Sequence, residues 1–178
     1  MDKLNVLLVT GLLTAEHQGR KITQRLRDLM EATGRFHVAI VEEFRNITPA
    51  FLEPYDVLFV DYDGKTWPTD HARRFGEQTE SAIYDFVAKG KGIVFYHSSI
   101  WVDSDWPDEW RKLLGGYCSM DKGCRRCPKD DFYVETMDAN HPITRGIDNK
   151  WMNVFDDLFT QLIIHPEADV HVLASVYD

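Results

Sequence analysis

Continuous apolar runs alternate with amphipathic stretches along the first part of the chain. Four runs predict strands, and the first is typical of a strand buried on both faces of a parallel sheet, because it is a short apolar run rather than apolar at every second position. These runs are residues 4–10, 36–41, 55–61 and 91–96. Ile22, Leu26 and Leu29 follow the first run at helical spacing. Strands that alternate with amphipathic helices predict an α/β fold with a parallel sheet covered on both faces.

Two longer helices are expected between and after the later runs. The first extends from about Asp70 to Gly90, and the residues on its apolar face are Phe75, Thr79, Ile83, Phe86 and Val87. The second begins with an Asp105 cap and a proline in its first turn, and it ends at Gly115. Both helices would cover the sheet.

The remainder of the chain has a weaker pattern. Residues 117–130 are polar and contain all three cysteines, which predicts a loop. Residues 132–137 alternate like a half-exposed strand, and residues 170–176 predict a last strand. His141-Pro142 is expected in a turn, because proline fixes the backbone there. Residues 156–164 are mostly apolar, so that helix and strand both stay open.

Length and charge narrow the class of protein. The chain has 178 residues, the size of one domain, and we expect a single domain over residues 1–178. A net charge of −9 disfavours nucleic acid as a partner. No apolar run approaches the roughly 20 residues of a membrane span, and Met1-Asp2-Lys3 lacks the basic region of a signal peptide. We therefore expect a cytoplasmic protein with no membrane partner.

Polar residues follow three of the predicted strands at their carboxyl ends, where open parallel sheets bind ligands. His97 and Ser98 follow the fourth strand, and Asp61 and Tyr62 end the third. His97 fits a general acid, a general base or a ligand, and the alternative is a histidine bonded to a neighbouring loop. The carboxylate of Asp61 is suited to binding hydroxyls or orienting a histidine.

Two more residues are expected near the same edge. His17 follows the first strand and would reach the crevice, unless it is an exposed loop residue. Trp101 would offer an aromatic face to a sugar ring, unless it belongs to the core. The nucleophile motif Gly-x-Ser-x-Gly is absent, and no cysteine stands beside His97. The sequence therefore argues against acyl transfer at this strand end.

The cysteines predict reduced loop thiols. Cys118, Cys124 and Cys127 are an odd number in a chain without an export signal, which argues against a disulfide framework. A weaker alternative is a zinc site that these cysteines form with His141. A redox pair of thiols is a further alternative.

Six motifs, in this order and spacing, resemble those of the ThuA-like (trehalose utilisation) proteins. They are Thr10-Gly11 with His17, Tyr55-Asp56-Val57-Leu58, Gly92-Ile93-Val94 leading to His97-Ser98, Leu113-Leu114-Gly115-Gly116, His141-Pro142-Ile143-Thr144-Arg145-Gly146-Ile147, and Asp156-Asp157-Leu158-Phe159. The resemblance implies the class I glutamine amidotransferase-like fold, a flavodoxin-like three-layer sandwich with a mainly parallel sheet. It also implies a role in sugar or glycoside metabolism, with His97-Ser98 in place of the amidotransferase cysteine.

The sequence departs from the family pattern in three places. Tyr117-Cys118 stands where the family usually has a histidine soon after the double glycine. The family's Asp-Glu-Leu-Tyr is Asp156-Asp157-Leu158-Phe159 here, with a shorter carboxylate and no hydroxyl. The family continues with a further strand and a Gly-His turn, whereas this sequence ends at Asp178, which suggests a shortened domain.

These features lead to three hypotheses. The first is an enzyme, though not a glutamine amidotransferase, that acts on a small glycoside or keto-sugar by acid–base chemistry. His97, with His17 or Asp157, would transfer protons. The residues that would bind the carbohydrate are Asp61, Tyr62, Ser98 and Trp101. The second is a non-catalytic carbohydrate-binding or assembly module, and the third is a metal-dependent hydrolase that uses His17, Asp61 and His97. No cofactor is predicted, although zinc or another divalent metal and a homo-oligomer stay open.

Overall fold

The computed structural model describes residues 2–11, 19–62 and 74–176, with residues 19 and 20 described by their backbone alone. Its packing divides the chain into two compact units, Met1–Leu114 and Gly115–Asp178. That residues 1–178 form one domain stays a prediction.

A four-stranded parallel sheet forms the centre of the first unit. Its strands are β1 (Leu4–Val9), β2 (Phe36–Val41), β3 (Val57–Val60) and β4 (Gly92–Phe95), in the order β2-β1-β3-β4. Each strand lies within one of the four apolar runs, so these predictions are confirmed. The last four residues of β1 are fully buried, as expected for the central strand of a covered sheet. The predicted α/β fold is confirmed, and it is consistent with a flavodoxin-like sandwich.

Helices cover both faces of this sheet. They are α1 (Gly19–Ala32), α2 (Pro49–Leu52), α3 (Glu77–Ala88) and α4 (Asp108–Leu114). Because parallel crossovers are right-handed, the reversal of direction after β2 places α1 on one face and α2 and α3 on the other. Thr48 caps α2 by accepting a hydrogen bond from Phe51 N–H.

Two of the predicted helices begin later than expected. Residues 74–76 are not helical, and α3 begins only after Gly76, whose φ of +96° departs from helical backbone. Phe75 therefore packs against the ring of Tyr62, with a centroid distance of 4.4 Å, rather than on a helix face. The last helix begins at Asp108, not after an Asp105 cap, because Pro107 disfavours helical backbone at Trp106, the residue before it.

The second unit is built from short antiparallel strands. They are β5 (Gly116–Tyr117), β6 (Arg125–Arg126), β7 (Asp130–Thr136), β8 (Lys150–Asp156), β9 (Phe159–Thr160), β10 (Ile163–Ile164) and β11 (Ala174–Val176). The longest strands form a sheet in the order β11-β7-β8, whereas β5 pairs with β10 and β6 with β9. The predicted strand at 132–137 is confirmed within β7. The predicted loop at 117–130 was wrong at β5 and β6, which are each two residues long.

A disulfide joins Cys118 to Cys124, with 5.4 Å between their Cα atoms. The prediction of reduced thiols at these two positions was therefore wrong. Gly123, with a φ of +100°, turns the chain back so that Cys124 N–H donates to the Ser119 carbonyl at 3.1 Å. Cys127 remains a free, half-buried thiol. The zinc site over the three cysteines was wrong as well, because two of its ligands are bonded to each other.

No helix within the described ranges is long and apolar enough to cross a lipid bilayer.

Candidate active site at the carboxyl edge of the parallel sheet

The carboxyl ends of β1, β3 and β4 meet at one edge of the sheet. Pairing continues to the last residue of each strand, since Asp61 N–H donates to the Val9 carbonyl at 2.8 Å and Tyr96 N–H to the Val60 carbonyl at 2.9 Å. The strand that follows β1 in the sequence, β2, lies on one side of β1 in the sheet. The strand that follows β3, which is β4, lies in the opposite direction along the sheet. This reversal of strand order lies between β1 and β3, where open α/β sheets bind their ligands.

Asp61 connects α1 to this edge. The Thr23 hydroxyl of α1 lies 3.3 Å from Asp61 Oδ2 and 3.1 Å from Thr10 Oγ1. A hydroxyl has one proton, so Thr23 donates to the carboxylate and accepts from Thr10. All three residues are buried, and Asp61 is 5% exposed. These contacts hold α1 against the ends of β1 and β3, and the binding of hydroxyls by Asp61 stays a prediction.

His97 stands at a sharp turn directly after β4. Its φ is +53°, a left-handed conformation that is uncommon for a residue with a side chain. A one-turn 3₁₀ helix, His97–Ile100, begins at this residue. The strand, the turn and the helical segment together resemble a nucleophile elbow, in which the turn presents one side chain above the sheet. His97 is exposed and occupies the corresponding position in the turn.

The residues after His97 are more deeply placed. Ser98 and Ser99 are buried, at 8% and 6% exposed, and Trp101 is half-buried, with its backbone N–H donating to the Ser98 carbonyl at 3.0 Å. The Ser99 hydroxyl has no hydrogen-bond partner within the described part of the chain. Burying an unpaired hydroxyl costs about 1–3 kcal/mol. Ser99 was not among the predicted site residues, and this unpaired group makes it a candidate.

A cavity of about 220 Å³ lies at the ends of β1, β2 and β3. Gly11, Tyr62 and Phe75 line one part of it, and the loop that follows β2 lines the rest. The Tyr62 ring is 7% exposed and contributes to the wall. This places Tyr62 at a cavity, although its contact with a ligand stays a prediction.

Glu43 and Arg45 carry the charges of that loop. Arg45 Nε donates to Glu43 Oε1 at 2.7 Å, and Arg45 Nη2 donates to Glu43 Oε2, so that the pair is bidentate. The hydrogen bond from Arg45 lowers the pKa of the Glu43 carboxyl below its ordinary 4.5, and Glu43 raises the pKa of Arg45. The sequence prediction missed both residues. The signal was available, because residues 42–45 follow a strand as Asp61 and His97 do.

The other predicted site residues are in the second unit or outside the described residues. His17 is outside the described residues. Asp157 belongs to the second unit, where its Oδ2 lies 2.8 Å from Arg126 Nη2 and 3.8 Å from Lys129 Nζ. His141 Nδ1 accepts a hydrogen bond from Ile143 N–H at 3.3 Å, within the predicted turn. Among the described residues, no group of three or more His, Cys, Asp or Glu side chains is suited to holding a metal ion.

The fold and the edge define an α/β sandwich of the flavodoxin-like class with a candidate site at the carboxyl ends of its parallel strands. Residues 5–178 match the family model ThuA, described as trehalose utilisation, and the chain belongs to that family. The family implies a role in trehalose utilisation and hence in carbohydrate metabolism.

Solved structures agree with the fold. A ThuA-like protein from Parabacteroides merdae ATCC 43184 has a TM-score of 0.76 and 22% sequence identity, covering 99% of this chain and 69% of its own. One from Bacteroides uniformis ATCC 8492 has a TM-score of 0.74 and 18% identity, with the same coverage. The search of curated proteins finds no match.

Proposed function

We propose that this protein is an enzyme that acts on a small glycoside or keto-sugar by acid–base chemistry, with His97 as the residue that transfers a proton. The observation that carries the proposal is the left-handed backbone of His97 at the end of β4. Such a conformation costs about 1–3 kcal/mol and persists at functional sites, where the surrounding structure holds it.

Imidazole suits this chemistry because it gains and loses a proton near neutral pH. From an exposed position above the sheet edge, the ring would donate a proton to a glycosidic oxygen or remove one from a carbon next to a carbonyl group. A second group on the opposite side of the sugar is required for either reaction. His17, which follows β1 in the sequence, is our candidate for that group.

The second candidate function is carbohydrate binding without catalysis. The cavity beside β2 supports it, because Glu43, Arg45 and Tyr62 supply hydrogen-bonding groups that do not depend on His97. A metal-dependent hydrolase with His17, Asp61 and His97 is the third hypothesis, and the described residues add no observation in its favour.

The test is an NMR time course with trehalose, other disaccharides and their keto derivatives. The variant is His97→Asn, because asparagine tolerates the left-handed backbone better than most residues and so preserves the turn. We expect the variant to lose 10²- to 10⁴-fold in rate, the usual contribution of general acid–base catalysis. The matched control is His37→Asn, at an exposed histidine near the start of β2.

Turnover that is equal in wild type and His97→Asn would exclude the proposed role of His97. Sugar binding by wild type without product from any member of the panel would favour the binding module. Product formed only after a divalent metal is added would favour the hydrolase.

A further inference from the structure

The loop that carries Glu43 and Arg45 is held firmly, although both side chains are on the surface. Phe44, between them, is 2% exposed and packs edge-on against the Phe75 ring at 5.5 Å. Farther along, Ile47 N–H donates to Thr79 Oγ1 at 3.0 Å. The loop is therefore anchored in the core on one side and to α3 on the other.

Stabilisation of the fold by the Glu43–Arg45 ion pair does not explain why the loop that carries the pair is anchored. The side chains of Arg45 and Glu43 are 51% and 61% exposed, and exposed ion pairs contribute only about 0–1 kcal/mol to folding. A pair of such small energetic value gains little from an anchored loop. Anchoring does, however, fix the direction of the remaining hydrogen-bonding groups.

Those groups match a sugar. A guanidinium has five N–H donors, and two nitrogens of Arg45 face Glu43, which leaves donors directed away from the pair. The Glu43 carboxylate also accepts from the Arg45 backbone N–H at 3.0 Å and keeps about one of its four lone pairs as a free acceptor. Donors and acceptors side by side are complementary to neighbouring hydroxyl groups, each of which both donates and accepts.

The cavity limits the size and charge of the ligand. Its volume of about 220 Å³ is below the roughly 300–1,000 Å³ of pockets for drug-sized ligands, so it accommodates one ring rather than two. Glu43 offsets the charge of Arg45, so the pair offers no net positive charge to an anion. The net charge of the whole chain is −9, and it repels anions.

We propose that the Glu43–Arg45 pair and Tyr62 bind one neutral sugar ring in this cavity and that the site rejects phosphorylated and acidic sugars. This inference deepens the proposed carbohydrate function and rests on it. It names two residues, Glu43 and Arg45, as determinants of substrate specificity.

The test measures binding at equilibrium, so that it does not depend on turnover. Isothermal titration and saturation-transfer NMR would use glucose and trehalose as neutral probes, and glucose 6-phosphate and glucuronic acid as anionic probes. We expect Arg45→Ala to weaken the binding of the neutral sugars at least tenfold. Arg45→Lys should also bind the neutral sugars weakly, since lysine keeps the charge but lacks the planar, forked guanidinium. Both anionic probes should bind wild type at least tenfold less tightly than glucose.

The matched control is Arg27→Ala. Arg27 pairs with Asp28 at 3.0 Å on α1, and its side chain is 38% exposed, so its loss removes a similar surface pair outside the cavity. The affinity of the Arg27→Ala variant for sugars should equal that of wild type.

Three results would overturn the inference. They are binding by Arg45→Ala within twofold of wild type, binding of glucose 6-phosphate as tight as that of glucose, and no binding of either neutral probe to wild type. The proposed catalytic function fails separately, through turnover that is insensitive to His97→Asn. Turnover with an unchanged KM in Arg45→Ala would exclude the specificity role and leave the role of His97 intact.

Discussion

Removing the Cys118–Cys124 disulfide is expected to lower the stability of the second unit. The size of the loss follows from the length of the loop that the bond closes. The bond joins residues six apart, and closing so short a loop stabilises the folded state by about 2.3 kcal/mol at 25 °C in the chain-entropy model. Both cysteines are 1% exposed, so Cys118→Ala/Cys124→Ala also removes buried packing, worth about 1 kcal/mol. We expect a total loss of about 3 kcal/mol.

Hydrogen exchange read by mass spectrometry measures this loss peptide by peptide. The effect should be largest in β5, β6, β9 and β10, because β5 pairs with β10, β6 pairs with β9, and the disulfide lies between β5 and β6. The control Cys127→Ala alters a half-buried thiol outside the bond and should change protection by less than about 1 kcal/mol. Peptides from β1 and β3 report on the first unit and should be unaffected.

Thiol counting tests the premise directly. Unfolded, unreduced protein should react at Cys127 alone, and reduction should expose all three cysteines. Three reactive thiols before reduction would refute the bond itself. One reactive thiol together with unchanged protection in the double alanine variant would refute the reasoning from loop entropy.

Two further substitutions test the first unit. Glu80 is 2% exposed and accepts hydrogen bonds from Arg74, so Glu80→Gln should lower the free energy of unfolding in urea by about 3 kcal/mol, with the exposed Glu77→Gln as its control. An effect equal to that of the control would contradict a stabilising ion pair. Gly11→Ala should cost clearly more than Gly34→Ala, which costs about 1–2 kcal/mol for a positive φ. The reason is that an added Cβ meets a carbonyl oxygen at the first site and nothing at the second, so equal thermal shifts would contradict this close approach.

Sequence patterns predict the parallel sheet well, because a strand buried on both faces needs apolar residues at every position. β1 was predicted almost to the residue for this reason, and β2 was predicted to the residue from its apolar run although its side chains are only partly buried. β8 was not predicted, since five of its seven residues are exposed and its apolar residues include the exposed Met152, Val154 and Phe155. Its pairing with β7 depends on a partner strand, not on its own pattern.

The sequence predicted only those residues of the candidate site that directly follow a strand. His97, Asp61 and Tyr62 were found because they follow strands, but the φ of His97 and the burial of Asp61 depend on tertiary contacts. The Glu43–Arg45 pair depends on Phe44 entering the core, which composition alone does not indicate. The disulfide was not predicted, because the prediction rested on the odd number of cysteines and on the expected compartment, not on the geometry of the loop between Cys118 and Cys124.

The strand order β2-β1-β3-β4 has a consequence for synthesis of the chain. β1 is translated before β2 and β3, yet it lies between them, and Asn5 N–H reaches Asp56 Oδ2, 51 residues later, at 2.9 Å. During translation, the most deeply buried strand must therefore wait for both neighbours, whereas β7 and β8 are consecutive in sequence and pair with each other. A nascent chain halted before β3 would expose Val6, Leu7 and Leu8. Chaperones that bind apolar segments would recognise that intermediate first.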